Sequence, residues 1–164
     1  MRINGIEQCS MTNGVGLRTV LWVSGCEHKC KGCQNPCTWD PDSGEDFTSE
    51  KKELLYKYLD NKYIKGITFS GGDPLHPSNR GEVGKLILDI KANYPSKDIW
   101  LYTGYTWEEV KELNLDYLRY IDVLVDGRFI LKERDINLRW CGSSNQRVID
   151  VKESLKEGKI ILFE

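Results

Sequence analysis

Residues 18–37 read RTVLWVSGCEHKCKGCQNPC. Arg18–Ser24 is a run of β-branched, aromatic and aliphatic side chains, the pattern of a strand buried inside a sheet. Beyond Gly25 it gives way to Cys26, Cys30, Cys33 and Cys37, four of the chain's six cysteines within twelve positions. A buried strand that opens into a thiol-rich loop places reactive groups where parallel α/β sheets hold ligands, at the carboxyl ends of their strands. The fold therefore turns on whether more strands of this kind come after it.

They do. Ile64–Ser70 (IKGITFS) reads as a second strand and runs into Gly71-Gly72-Asp73-Pro74. Ile99–Thr103 (IWLYT) is a third, followed by Gly104, and Ile121–Val125 a fourth, ended by Asp126-Gly127-Arg128. Helical spacing separates them. Phe47–Leu59 carries Leu54, Leu55, Tyr58 and Leu59 on one face with Ser49 as N-cap, and Gly81–Asn93 repeats Val83, Leu86, Ile87 and Ile90 at i, i+3, i+4, i+7. Thr106 and Glu109 form a capping box that opens a third helix. Arg147–Val151 and Lys159–Phe163 read as two further strands. Strand–helix alternation predicts mostly parallel strands joined by right-handed crossovers. Four or five such units fall short of the eight that close a barrel. The expectation is an α/β fold, an open partial (β/α) barrel forming one domain over residues 1–164.

Composition narrows the function. With 40% hydrophobic, 10% aromatic and 29% charged residues, the chain is neither disordered, nor collagen-like, nor a membrane protein. Its 23 basic and 25 acidic residues give a net charge of −2, so no basic field points to a nucleic-acid partner. The apolar run Val20–Val23 is far below the roughly 20 residues that span a bilayer, and Met1–Gly5 carries no secretory signal. A cytoplasmic protein keeps its thiols reduced, so the cysteines call for chemistry other than disulfides.

Thiolates suit zinc, copper(I) and iron–sulfur clusters. Structural zinc takes two separated pairs of ligands, whereas here one compact loop holds four thiols and Cys9 and Cys141 stand far apart. The spacing also departs from the ferredoxin run Cys-x2-Cys-x2-Cys-x3-Cys, because its first gap is three residues. The residues alone leave two bland readings: a colourless zinc module, and an electron carrier in which Cys37 caps a fourth iron.

Cys26-x3-Cys30-x2-Cys33 after the first strand resembles the radical S-adenosylmethionine (SAM) superfamily, although Gly32 stands where many members have an aromatic residue. The resemblance implies that Cys26, Cys30 and Cys33 hold a [4Fe–4S] cluster with one open iron that chelates SAM. It implies that Gly71, Gly72 and Asp73 receive the SAM ammonium group, in the place of the superfamily's Gly-Gly-Glu motif, and that Gly32, Cys33 and Gln34, with Tyr102 and Thr103, border its adenosine. Asn13–Arg18 leading to Val23–Cys26 is similar to glycyl-radical activating enzymes. Thr68–His76 (TFSGGDPLH), Asp98–Tyr105 (DIWLYTGY), Val123–Phe129 (VLVDGRF) and Arg139–Arg147 (RWCGSSNQR) are similar to the activating component of anaerobic (class III) ribonucleotide reductases. These segments cover most of residues 4–150. The Arg139–Arg147 block speaks against an activase for another glycyl-radical enzyme and against a small radical SAM enzyme of deazaguanine biosynthesis.

In function, the resemblance implies an oxidoreductase that cleaves SAM reductively to a 5′-deoxyadenosyl radical, which takes a hydrogen from a glycine near the C-terminus of the large reductase subunit. The partners it implies are that subunit and a reductant such as flavodoxin, and it leaves room for a homodimer. No side chain need act as acid, base or nucleophile; the cofactors carry the chemistry. Elsewhere, His28 is expected to be exposed and Cys9 partly buried. Trp22, Trp100 and Trp140 read as core, Arg18 equally as carboxylate binder or structural salt bridge, and Asp126–Arg128 as peptide-facing loop or simple turn.

Overall fold

The strand expected at Arg18–Ser24 forms at Leu17–Val23 and lies inside a seven-stranded sheet. The computed structural model describes residues Met1–Glu164. In chain order the elements are β1 (Arg2–Ser10), β2 (Leu17–Val23), β3 (Glu45–Asp46), α1 (Ser49–Leu59), β4 (Ile64–Gly71), α2 (Arg80–Asn93), β5 (Asp98–Tyr102), α3 (Trp107–Glu112), β6 (Val123–Asp126), β7 (Arg147–Asp150) and α4 (Val151–Glu157). The sheet order is β3-β1-β2-β4-β5-β6-β7. β2, β4, β5 and β6 run parallel, while β1, β3 and β7 add antiparallel edges. The architecture is mixed α/β with a parallel centre, and each parallel strand lies beside the next one in the chain.

One transverse row shows why. Ile6, Leu21, Phe69, Leu101, Leu124 and Ile149 stand opposite one another across β1, β2, β4, β5, β6 and β7. Side chains alternate faces along a strand, so this row and its neighbours two residues away form one apolar face. Leu55 and Leu59 of α1, Val83, Leu86, Ile87 and Ile90 of α2, Trp107 and Val110 of α3 and Val151 of α4 pack in the same cluster. All four helices thus share one side. The other side carries Trp22, Thr68, Ser70, Trp100, Tyr102, Val123 and Val125; the C-terminal segment covers part of it, with Trp140 and Phe163 edge-on to Trp100 at 5.1 and 5.2 Å.

Several expectations shift. β1 carries no strand signature of its own, because RINGIEQCS has Gly5 and polar residues where alternation should show; pairing with β2 makes it a strand. Residues after Asp150 form α4, with the Asp150 side chain capping Glu153 N–H and Gly158 ending it in the left-handed region. Lys159–Phe163 contributes only a bridge between Leu162 and Ile149. In α1 the buried face is Leu55 and Leu59, and Leu54 is turned outward. The Thr106–Glu109 capping box is present as expected. Cys9 is exposed on β1 rather than partly buried. Trp100 is core, whereas Trp22 and Trp140 are half-buried along a cavity.

Arg18 resolves to the salt-bridge alternative. Fully buried, it donates to Thr68 Oγ1 (2.8 Å) and the Ile67 carbonyl (2.7 Å), and its Nη1 lies 2.5 Å from Asp98 Oδ1 as an ion contact rather than an aligned hydrogen bond. It ties the amino ends of β2, β4 and β5 together, opposite the cysteine end.

Asp122 stitches helices to the sheet by accepting from Lys91 (2.7 Å), Lys152 (2.5 Å) and Ile99 N–H (2.8 Å). Burial pushes its carboxyl up, but these partners outweigh burial and hold it below the usual range. A depressed carboxylate adds stability above its unfolded value and loses it as pH falls through the folded one. Asp122→Asn is expected to melt below wild type at pH 7, with the gap narrowing as the pH falls past the ordinary aspartate value of about 4 and through the depressed folded one. Paired thermal melts from neutral to acid pH check this; a gap that persists in acid would refute it.

Candidate functional site

β2 stops at Val23 and the chain leaves the sheet. The loop beyond it is closed at its base by Gly25 N–H to the Thr38 carbonyl (2.7 Å) and Cys26 N–H to the Trp39 carbonyl (3.0 Å). Inside, Lys29 (φ 46°) and Gly32 (φ 77°) take left-handed turns and a 3₁₀ turn at Pro36–Thr38 completes the return. Cys26, Cys30 and Cys33 are partly buried and line one cavity of about 130 Å³ with Gly71, Gly72, Asp73, Tyr102 and Thr103. Cys37 sits in the 3₁₀ turn, exposed and outside that cavity.

The loop after β4 is zipped to the loop after β2. Gly72 N–H donates to the Val23 carbonyl (2.8 Å) and Asp73 N–H to the Gly25 carbonyl (2.7 Å). A Cβ on Gly72 would stand 2.5 Å from the Gly25 oxygen, and Gly71 has φ +104°, so only glycine lets the two loops meet. Asn79, fully buried, donates to the carbonyls of Ser24 (2.7 Å) and Asp73 (3.0 Å), bridging both loops from α2's N-terminus. Nothing in the sequence singled it out beyond its place ahead of a helix. Asn79→Ala strands two buried carbonyls and is expected to cost about 2 kcal/mol. Asn79→Asp, isosteric but facing acceptors with an acceptor, does no better; urea midpoints of the three proteins check both.

Asp73 is 1% exposed, and its carboxylate is filled from within the chain. Leu75 N–H (2.8 Å), Gly104 N–H (2.9 Å), Thr103 Oγ1–H (3.0 Å to each oxygen) and His28 Nε2–H (2.8 Å) all donate to it. His28 is therefore not an exposed loop histidine: its side chain is 2% exposed, edge-on to Tyr105 at 4.6 Å, with its ring packed where a Gly104 side chain would be. Tyr105 reaches Glu27 of the cysteine loop through its hydroxyl. A short glycine-flanked carboxylate thus joins the ends of β2, β4 and β5.

A second cavity of about 530 Å³ adjoins the first and shares Cys33, Ser70, Tyr102, Phe129 and Gln146 with it. Gln34, Trp22, Asn13, Trp140 and Cys141 also line it. Of the residues expected near SAM, Cys33 borders both cavities, Gln34 the larger, and Gly71–Asp73 the smaller. Gly32 borders neither and turns the loop against Leu131. The RWCGSSNQR block gains a physical role here. Gln146 accepts from Gly142 N–H (2.9 Å) and donates to the Gly127 carbonyl (2.9 Å), and Asn145 donates to the Arg128 carbonyl (2.8 Å). The block is braced to the loop after β6, with Trp140 and Cys141 lining the larger cavity. Arg147 pairs with buried Asp126 (2.5 Å) and with Glu108 (2.9 Å) beside a cavity of about 430 Å³ that no hydrophobic residue lines and that includes Arg128.

Burial pushes the Cys26 thiol up to about 11 and raises Cys30, where the Phe129 backbone and Arg128 pull the other way. Metal binding displaces such protons. No three His, Cys, Asp or Glu side chains converge tightly enough for a single ion. Three thiols spread around one cavity, with a loop flexed by two left-handed residues, fit the separate corners of a polynuclear iron–sulfur cluster better than one zinc ion.

Known proteins agree on the family. Residues 12–149 match the family described as "4Fe-4S single cluster domain". An "Anaerobic ribonucleoside-triphosphate reductase-activating protein" of Enterobacteria phage T4 is 44% identical over 150 residues, covering 90% of this chain and 93% of the relative. Proteins of the same name from Vibrio cholerae (47% over 138 residues; 83% and 89%) and Escherichia coli K12 (45% over 140 residues; 84% and 91%) are similar at comparable coverage. The chain belongs to the family of anaerobic ribonucleoside-triphosphate reductase-activating proteins. In this member the 4Fe–4S domain takes in the cysteine loop, the Gly71–Asp73 turn, Asn79 and the RWCGSSNQR block. No helix is long and apolar enough to cross a membrane.

Proposed function

We propose that this chain activates an anaerobic ribonucleotide reductase as a radical SAM enzyme. The observation that carries the reading is the convergence of Cys26, Cys30 and Cys33 on one cavity with the Gly71–Asp73 turn, while Cys37 stays outside. Cys26, Cys30 and Cys33 would hold the [4Fe–4S] cluster beside the glycine turn. Bound there, the cluster would supply the electron for reductive cleavage of SAM to methionine and a 5′-deoxyadenosyl radical, the species that would take a hydrogen from a glycine near the C-terminus of the large reductase subunit.

The chain's own residues bind and shield. Gly71 and Gly72 bring bare backbone to the cavity edge, where carbonyls can accept from an ammonium group. Asp73, already filled by four internal donors, fixes this edge. Trp22, Tyr102, Phe129 and Trp140 wall the larger cavity, whose volume lies in the range of small-molecule sites, and keep water from a reactive intermediate. The parallel strands form the wall of an open partial barrel within one domain over residues 1–164, and its uncovered mouth admits a peptide loop of the reductase. The reading includes a cytoplasmic setting and a flavodoxin-type reductant.

The deciding experiment is electron paramagnetic resonance on anaerobically reconstituted, reduced protein with and without SAM. The expected result is a [4Fe–4S]⁺ signal that changes shape on adding SAM. A signal blind to SAM would overturn the reading in favour of an electron carrier capped by Cys37, and no cluster signal would return the loop to zinc.

A further inference from the structure

Trp39 occupies an unusual position. Its carbonyl accepts Cys26 N–H at 3.0 Å, which pins it beside the first cysteine, and it lines the same small cavity as Cys26, Cys30 and Cys33. Its indole Nε1 is buried without a hydrogen-bond partner. An indole N–H is a donor only, and buried donors left unpaired are rare because they forfeit water without compensation. Asp73, the one carboxylate lining that cavity, is already filled by four donors. His28 Nδ1, the other buried unpartnered atom on this wall, belongs to a ring that is already anchored through Nε2 to Asp73 at 2.8 Å. The third such atom, Asp98 Oδ1, lies with Arg18 at the far end of the sheet.

We infer that the indole N–H of Trp39 donates a hydrogen bond to a sulfur of the cluster held by Cys26, Cys30 and Cys33. The inference rests on those cysteines holding a 4Fe–4S cluster. Cluster and thiolate sulfurs carry negative charge and accept N–H donors, and such bonds favour the reduced, more negative state, raising the potential. Trp39 is then a positioning and tuning residue, not a catalytic one.

The test uses full-length, reconstituted protein labelled with indole-¹⁵N tryptophan. Pulsed electron paramagnetic resonance of the reduced cluster is expected to show a ¹⁵N coupling that disappears in Trp39→Phe, and redox titration is expected to give that variant a more negative midpoint at unchanged iron content. Trp39→His, which keeps an N–H on a smaller ring, is expected to recover part of the shift. A ¹⁵N coupling that survives Trp39→Phe, or a midpoint that does not move, overturns the inference. So does a labelled wild type with a cluster and no ¹⁵N coupling. Should Trp39→Phe fail to hold a cluster, the coupling is followed in Trp22→Phe and Trp140→Phe, the other tryptophans beside the adjoining cavity: persistence in both supports Trp39, and loss in either overturns it. A wild type that binds no cluster fails the proposed function itself, a different outcome from any of these.

Discussion

Alanine at Cys26, Cys30 or Cys33 is expected to remove the cluster and drop reductase activation to background, whereas Cys37→Ala and Cys9→Ala retain both. The contrast comes from position. The first three thiols border one cavity, while Cys37 and Cys9 are exposed and apart from it. A cluster with two thiolate ligands exposes further iron to water and oxygen; Asp73, the carboxylate on that wall, is already filled by internal donors, and Cys37 lies outside the cavity. Iron and sulfide analysis of anaerobically reconstituted variants reads the outcome directly, from about four irons per chain toward none.

The metal-free proteins supply the control. Removing an exposed thiol moves stability by no more than about 0.5 kcal/mol, and removing the partly buried Cys26 sulfur by about 1 kcal/mol. Lost iron in Cys26→Ala would therefore reflect ligation and not unfolding. Full iron and SAM-responsive signals in Cys30→Ala, or their loss in Cys37→Ala, would contradict the assignment of ligands.

The parallel centre of this fold was legible because its strands are buried on both faces and their hydrophobic runs, Arg18–Ser24, Ile64–Ser70, Ile99–Thr103 and Ile121–Val125, need no partner to be recognised. The edges were legible only in part. β7 was readable at Arg147–Val151 and forms at Arg147–Asp150, whereas β1 is a strand by pairing with β2, and α4 succeeds β7 with no break that sequence spacing reveals. The same division holds at the site. Cysteine spacing and the Gly-Gly-Asp-Pro turn are local signals, readable in a single chain. His28 and Asn79 owe their roles to contacts 45 and 55 positions away in sequence, and an isolated histidine in a polar loop reads as solvent-exposed until the carboxylate it meets is known. The RWCGSSNQR block stood out by resemblance alone; its brace to Gly127 and Arg128 supplies the physical reason for its glutamine and asparagine.

Asp73 is where the remaining large effect is expected. Its replacement by alanine leaves two backbone N–H groups, the Thr103 hydroxyl and the His28 ring without their acceptor, in a largely buried place at the edge of the cavity. At roughly 1–3 kcal/mol for each stranded buried donor, with partial relaxation, Asp73→Ala is expected to cost about 4 kcal/mol, a large share of the roughly 5–15 kcal/mol that holds a domain of this size together. Asp73→Asn costs less, about 2 kcal/mol, because one oxygen still accepts while the new amide hydrogens face donors. Thr103→Val, which removes a single hydroxyl, costs about 1 kcal/mol. The order Ala, Asn, Val in urea midpoints is the expected result for the metal-free chain. In reconstituted protein the same series should weaken SAM binding, read as the concentration needed to change the cluster signal, since the turn that presents Gly71 and Gly72 loses its anchor to β5. A carboxylate that contacted SAM directly would behave differently: Asp73→Asn would then impair SAM binding severely while Thr103→Val left it untouched. Parallel losses in stability and SAM binding across all three variants identify Asp73 as the clamp that sets the strand ends.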